Sequence, residues 1–257
     1  MPHPRAQDRD QTMAYTFVDD LPCERSLTKG RVASSPKQSA QKLVENEYLP
    51  PRGAYARIGK RIFDVTLVLA MLPIILPVLA VVWFITALDG GRAIYSQERV
   101  GKGGRIFKCW KIRTMVPNAE SALERLIKSD PAVAAEWQAN QKLANDPRIT
   151  RWGRVLRKTS IDELPQLFNV LTGDMSLIGP RPFTPAQKTM YDACPNAIAY
   201  YHLRPGISGL WQVDCRNSGT FGGRAGYDMS YAKSLSFAGD IKIALRTVAV
   251  VLRATGK

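Results

Sequence analysis

The stretch VTLVLAMLPIILPVLAVVWFITAL, residues 65–88, decides the architecture, because it runs for about two dozen residues without a charge. At about 1.5 Å of rise per residue, that length matches a hydrocarbon core of about 30 Å. A buried core helix seldom continues so far without a polar face, so the segment reads as a membrane helix. Pro73 and Pro77 stand near its middle. Each removes a backbone donor and crowds the preceding turn, and together they predict a sharp bend or break.

The flanking charge says which way the bend turns. Arg52, Arg57, Lys60 and Arg61 precede the segment, and Arg92, Arg99, Lys102 and Arg105 follow it. Because cationic flanks stay on the cytoplasmic side, both ends are drawn the same way. A re-entrant helix-hairpin satisfies both ends, and a straight span does not. The expected fold is α+β and mainly helical: a mostly disordered tail over residues 1–56, a re-entrant membrane helix over 57–90, and a cytoplasmic catalytic domain over 91–257. Within the tail, Ala14–Asp19 is a candidate strand or docking motif.

Beyond the membrane segment, AIYSQERVGKGGRIFKCWKIRTM reads as two β-rich stretches around a turn at Gly101–Gly104, whose spacing is not that of a phosphate-binding P-loop. Helices are expected over Ala119–Lys128 and Pro131–Leu143, the second capped by Asp130 with Pro131 at its first position. DPRITRWGRVLRK, residues 146–158, spaces Arg148, Arg151, Arg154, Arg157 and Lys158 around Ile149, Trp152, Val155 and Leu156. This pattern suits an amphipathic helix at a membrane interface, and equally a solvated basic face. A final amphipathic helix is expected over Ile241–Ala254.

A formal charge of +14 predicts an anionic partner: nucleic acid, an anionic membrane surface or a phosphorylated substrate. Cys23, Cys109, Cys194 and Cys215 form no CxxC pair, and His3 and His202 are the only histidines. Zinc ribbons, thioredoxin-like chemistry and a Ser-His-Asp triad are thereby disfavoured, which leaves the chemistry to carboxylates and cations.

Those residues meet in TSIDELPQLFNVLTGDMSLIGPRPF, residues 159–183. Asp162 is expected to cap a helix that carries Pro165 in its first turn, with Glu163 beside it. Acids are common in first turns for dipole reasons alone, so the pair by itself is weak. Arg157, Lys158 and Arg181 strengthen it, because they would hold a diphosphate against Asp162 and keep that carboxylate ionised. A desolvated carboxylate aimed at phosphorus is a nucleophile, and Mg²⁺ would offset repulsion between it and the phosphate oxygens. The prolines around Arg181 in GPRP, and the Arg-Pro-Gly at Arg204–Gly206, preset the backbone beside each guanidinium; either is also readable as a rigid turn.

KRIFD (60–64), KCWKIRTM (108–115), DPRIT (146–150), SIDELPQLFNVLTGDMSLIGPRP (160–182) and RPGISGLWQV (204–213) together resemble the bacterial sugar transferase family, the monotopic phosphoglycosyl transferases. The resemblance implies transfer of a sugar 1-phosphate from a UDP-sugar to undecaprenyl phosphate, with release of UMP, at the cytoplasmic face of the inner membrane. It implies Asp162 as nucleophile and Mg²⁺ contact, Glu163 as its partner, and Lys111 or Arg113, Arg157 and Arg181 as phosphate-binding cations. Arg204 joins that set. The family breaks its membrane helix at a Ser-Pro pair, which maps to Pro77, but Leu76 stands where the serine would be. Galactose or glucose is the expected sugar, a homodimer is one expectation, and nucleic acid is not an expected partner. The competing class is a non-catalytic, membrane-anchored binder of anionic lipid or nucleic acid, which explains the charge but neither the paired acids nor GPRP. A metal-dependent glycosyltransferase would need an Asp-x-Asp triplet, found only at Asp8–Asp10 in the tail.

Overall fold

A computed structural model describes residues 50–88, 90–140, 143–215 and 221–252. The tail as far as residue 49, with the Ala14–Asp19 and Asp8–Asp10 stretches, and the end of the helix expected to reach Ala254 lie outside the described residues. What is described is mostly helical, with two small sheets.

The apolar segment forms helix α1, Lys60–Ala87, entered through a π-helical turn at Tyr55–Gly59. It is long and apolar enough to cross a membrane. Pro73 and Pro77 lie inside it, and the helix continues through both without a break. The break expected at this pair is therefore absent: the chain stays helical through both prolines. One stripe, Asp64, Val68, Leu79, Val82 and Thr86, is buried against the rest of the protein, while Ile62, Leu69, Ile74, Val81 and Phe84 are exposed. The buried positions lie four, eleven, three and four residues apart, which keeps them on one face of a helix, with Met71, Leu72 and Ile75 packed between.

Polar contacts hold both ends of α1. Lys60 Nζ lies 3.2 Å from Asp64 and 3.0 Å from Asp240. Asp64 accepts from Ser176 Oγ at 2.7 Å and from the Leu177 amide at 3.2 Å. At the other end Trp152 Nε1 donates to Thr86 Oγ1 at 3.1 Å, and Arg113 donates to the Thr86 carbonyl at 3.0 Å.

The β-rich stretches form an antiparallel hairpin, β1 (Ile94–Val100) and β2 (Ile106–Ile112), with Ile94 opposite Ile112 and Val100 opposite Ile106. Its turn uses Gly103 and Gly104 at φ +67° and +79°, backbone that a side chain would strain. Helices α2 (Ala119–Ser129) and α3 (Pro131–Asn140) follow, and Asp130 caps α3 by accepting from the Ala132 amide at 2.8 Å. Helix α4, Arg151–Thr159, is capped by Thr150, which accepts from the Gly153 amide at 2.8 Å. Arg148 belongs to no exposed cationic face: it is buried on Asp146 at 2.6 Å.

Helix α5 spans Gln166–Thr172 and leads into β3, Ser176–Ile178. Short helices α6 (Lys188–Asp192) and α7 (Ile198–His202) precede β4, Gly206–Ser208, which pairs in parallel with β3. Helices α8 (Leu210–Asp214), α9 (Arg224–Lys233) and α10 (Phe237–Leu252) complete the described chain. Helix α10 begins at Phe237 rather than Ile241, because Ser236 caps it, its Oγ accepting from the Gly239 amide at 3.2 Å and its carbonyl from the Asp240 amide at 3.0 Å; Asp240 is buried, where Lys60, Tyr55 and Tyr231 meet its carboxylate.

The core has three parts. One gathers Val68 of α1 with Val170, Met175, Ile178 and Ile243; a second gathers Val100, Phe183, Tyr191 and Tyr200; a third joins Leu79 and Val82 of α1 to Ile112 and Leu156.

Candidate active site

The acidic pair does not cap a helix. Asp162 and Glu163 occupy a 3₁₀ turn, Ile161–Glu163, entered through Ser160 in the left-handed region at φ +59°. The Glu163 amide donates to the Ser160 carbonyl at 3.2 Å and the Leu164 amide to the Ile161 carbonyl at 3.1 Å, closing a tight turn, and α5 starts one residue after Pro165. The acids therefore stand at the junction of α4 and α5, between the hairpin and the GPRP segment.

Glu163 is engaged. Its Oε1 lies 2.9 Å from Lys111 Nζ near the end of β2 and 3.5 Å from a terminal nitrogen of Arg181. Asp162 is buried, and among the described residues no hydrogen bond or ion pair reaches its carboxylate. Burial raises its pKa to about 6, Glu163 pushes the same way, and Lys111, Arg157 and Arg181 oppose. Loss of water thus outweighs the cations in setting this pKa, yet at neutral pH the carboxylate is still mostly ionised. Arg157 is held by its Nε donating to Thr114 Oγ1 at 2.9 Å.

The structure brings together Asp162, Glu163, Lys111, Arg157 and Arg181. It does not bring Arg113, which turns to the Thr86 carbonyl and lies against Gly91. Nor does it bring Arg204, whose Nε donates to the Gly173 carbonyl at 3.0 Å, just past the end of α5. Pairing of β3 with β4 presses Gly179 to within van der Waals contact of the backbone at Arg204 and Gly206, so a Cβ on Gly179 would stand 2.3 Å from the Arg204 carbonyl oxygen. That contact aligns the two Arg-Pro turns but directs their guanidiniums to different partners.

A small cleft joins Glu163, Lys111 and Arg181 to Arg99, Cys109 and Gln166, none of which stood out as site residues in the sequence. Arg99 sits on β1 opposite Phe107 and Cys109 on β2. Strand alternation would have placed Cys109 and Lys111 on one face; for Gln166 and Arg99 no local signal existed.

Magnesium can be tested against this donor set. Among the described residues no three His, Cys, Asp or Glu side chains converge as a cage. Asp162 nevertheless offers a buried, unpartnered carboxylate, which suits an ion that commonly takes one or two protein carboxylates and fills its shell with phosphate oxygens and water.

A sequence profile described as bacterial sugar transferase matches residues 55–254. The chain is 45% identical over 201 residues to the UDP-galactose-lipid carrier transferase of Erwinia amylovora and, at the same level, to the undecaprenyl-phosphate galactose phosphotransferase of Salmonella typhimurium; each match covers 78% of this chain and 42% of the relative. The chain thus spans under half the length of those curated relatives. It is also 38% identical over 228 residues to an exopolysaccharide production protein of Rhizobium meliloti, covering 85% of this chain and 99% of that one.

Proposed function

Because the chain belongs to the bacterial sugar transferase family, we propose that it transfers a sugar 1-phosphate from a UDP-sugar to undecaprenyl phosphate and so begins assembly of an exopolysaccharide or glycan. The observation that carries this reading is the buried carboxylate of Asp162, free of hydrogen bonds, beside a Glu163 already locked by Lys111 and Arg181.

In the first half-reaction an Asp162 carboxylate oxygen attacks the β-phosphorus of the UDP-sugar. The new carboxyl oxygen to phosphorus bond forms as the bond to the bridging α–β oxygen breaks, and UMP leaves with that electron pair. In the second half-reaction a phosphate oxygen of undecaprenyl phosphate attacks the same phosphorus, and the Asp162 carboxylate departs. Lys111, Arg157 and Arg181 lie where negative charge grows, and Glu163 keeps Lys111 and Arg181 in fixed positions rather than reacting itself. Asp162 would hold Mg²⁺ together with the diphosphate; the ion neutralises phosphate charge and favours the ionised carboxylate.

The same proposal puts α1 into the cytoplasmic leaflet as a re-entrant element. Along the helix, Asp64 and Thr86 lie about 33 Å apart at about 1.5 Å per residue. A full crossing would carry Thr86, Trp152 and Arg113 to the opposite side from Lys60 and Asp240, although one polar domain holds all of them. Bending at Pro73 and Pro77 within the continuous helix avoids that cost. A cysteine at Arg57 and another at Arg92 should both resist a membrane-impermeant maleimide on spheroplasts and both react in inverted vesicles. Labelling of one flank alone from outside would establish a span instead.

The activity test is release of UMP by the protein in lipid nanodiscs with Mg²⁺. Multiple turnover is expected only when undecaprenyl phosphate is present, UMP release without it stopping at no more than one per protein; UDP-galactose should run ahead of UDP-glucose, and chelation should abolish release. Absence of UMP with every UDP-sugar tried would refute the reading.

A further inference from the structure

Five buried polar side-chain atoms have no hydrogen-bond partner among the described residues: Arg99 Nε, Arg224 Nε, Trp211 Nε1 and both amide atoms of Gln212. Buried polar groups are normally paired, so a cluster of exceptions needs a cause. Four of the five are donors, which makes the missing partner rich in acceptors.

The two arginines are the informative ones. Arg224 lies between two aromatic rings, its guanidinium carbon 4.3 Å from the centroid of Trp211 and 4.7 Å from that of Phe221. It makes no ion pair among the described residues. The nearby Asp228 is committed to the Tyr191 hydroxyl and attracts Arg224 without an ion pair at contact distance; burial raises its pKa to about 7, while Tyr191 and Arg224 oppose that rise. Arg99 reaches only neutral acceptors, the Pro182 carbonyl at 3.3 Å and Gln97 Oε1 at 2.7 Å. Desolvation lowers the pKa of both guanidiniums, Arg224 to about 10, and the nearby Arg181 lowers both further. Three arginines thus crowd one another, with Glu163 ion-paired to Arg181 and Asp228 attracting Arg224 without contact. Such an arrangement is costly in the empty protein and favourable around a multiply charged anion.

Position indicates which anion. Ile161 and Leu164, which bracket the acids, pack on the core cluster that contains Leu79 and Val82 of α1. Arg99, Arg181 and Arg224 adjoin in the chain Val100, Phe183 and Ala225 of a cluster in which no α1 residue takes part, while Arg99 and Arg181 also share their cleft with Cys109 and Ile207 of the Val68 cluster. The row thus runs from the acids toward Arg224, away from Leu79 and Val82, and a lipid phosphate arriving along that end of α1 would meet the acids first.

We propose that Arg99 and Arg224, continuing the row begun by Arg181, form the subsite for the diphosphate of the nucleotide donor, with Trp211 and Phe221 clamping the Arg224 guanidinium in place. The subsite rests on the reading of the donor as a UDP-sugar. It adds two residues outside the motifs around the acids and separates donor binding from lipid binding.

The test is equilibrium binding of UDP to the full chain in nanodiscs, comparing wild type with Arg99→Gln, Arg224→Gln, Arg224→Lys and Asp162→Asn, each checked for folding by circular dichroism and Tm. The Gln variants are expected to raise the Kd for UDP at least tenfold, and inorganic pyrophosphate should displace UDP from wild type but only weakly from Arg224→Gln. Arg224→Lys should fall between them, because it keeps charge and loses the stacked fork, whereas Asp162→Asn should bind as wild type or better. Folded Gln variants that bind UDP normally would overturn the subsite and leave the proposed reaction standing. So would Gln variants that raise only the KM for undecaprenyl phosphate, which would reassign the arginines to the lipid phosphate. A wild type that binds no UDP would overturn the donor reading and the subsite together.

Discussion

Asp162→Asn is expected to lower turnover by at least about a thousandfold and to leave no sugar phosphate covalently attached to the protein, while making the fold more stable. Loss of activity follows from removing the attacking oxygen without changing shape. The gain in stability follows from burial. The folded carboxyl has its pKa raised to about 6 from an ordinary 3.8. A group raised in this way contributes stability below its unfolded pKa and loses that contribution as pH rises through about 6. At neutral pH the wild type therefore carries a cost that asparagine avoids, about 2–3 kcal/mol at about 1.4 kcal/mol per pH unit. Two measurements check the argument. Thermal unfolding should show the variant above the wild type at pH 7.5, with the gap closing toward pH 4. In wild type, kcat/KM should fall as pH drops through about 6, because the protonated acid cannot attack. Covalent label surviving on Asp162→Asn, or mapped to another residue, would remove Asp162 from the mechanism.

Gly153→Ala should cost about 3 kcal/mol or more and remove at least about 99% of activity from whatever folds. A Cβ at Gly153 would stand 1.9 Å from the Thr114 carbonyl oxygen, and that oxygen belongs to a backbone with no room to retreat. It accepts the Thr150 amide at 3.1 Å, while the Thr114 hydroxyl accepts Arg157 Nε at 2.9 Å. Displacing α4 therefore moves Arg157 and, a few residues on, the turn that carries Asp162. Val155→Ala, on the exposed side of the same helix, supplies the control and should leave activity near wild type. A Gly153→Ala protein with normal Tm and turnover would show that α4 does not position the acids.

Local signals marked most elements: glycines with positive φ made the hairpin turn, Asp130 and Pro131 opened α3, and Thr150 opened α4. Asp162 stood out in the sequence as one of two adjacent acids, but its conformation did not: Pro165 is compatible with a helix capped by Asp162, and the structure has a 3₁₀ turn there instead. The outward ring of the site was not. Arg113 shares a short motif with Lys111 yet turns to α1, and Arg204 repeats the Arg-Pro pattern of Arg181 yet turns to Gly173. Motif position orients a backbone, but the partner that a long cation reaches depends on which element packs alongside.

From sequence alone came the uncharged length of residues 65–88, the pairing of two acids before a proline, and the cationic excess that calls for an anion. Each depends on spacing and composition within one window of chain, where rise per residue, missing amide protons and net charge are already decided. Only the tertiary structure decided that α1 is docked along its length, that Asp162 is buried while Glu163 takes the cations, and that Arg99 and Arg224 converge on Arg181 from distant parts of the chain. Desolvation and charge–charge energies are set by neighbours in space, and no local window contains them.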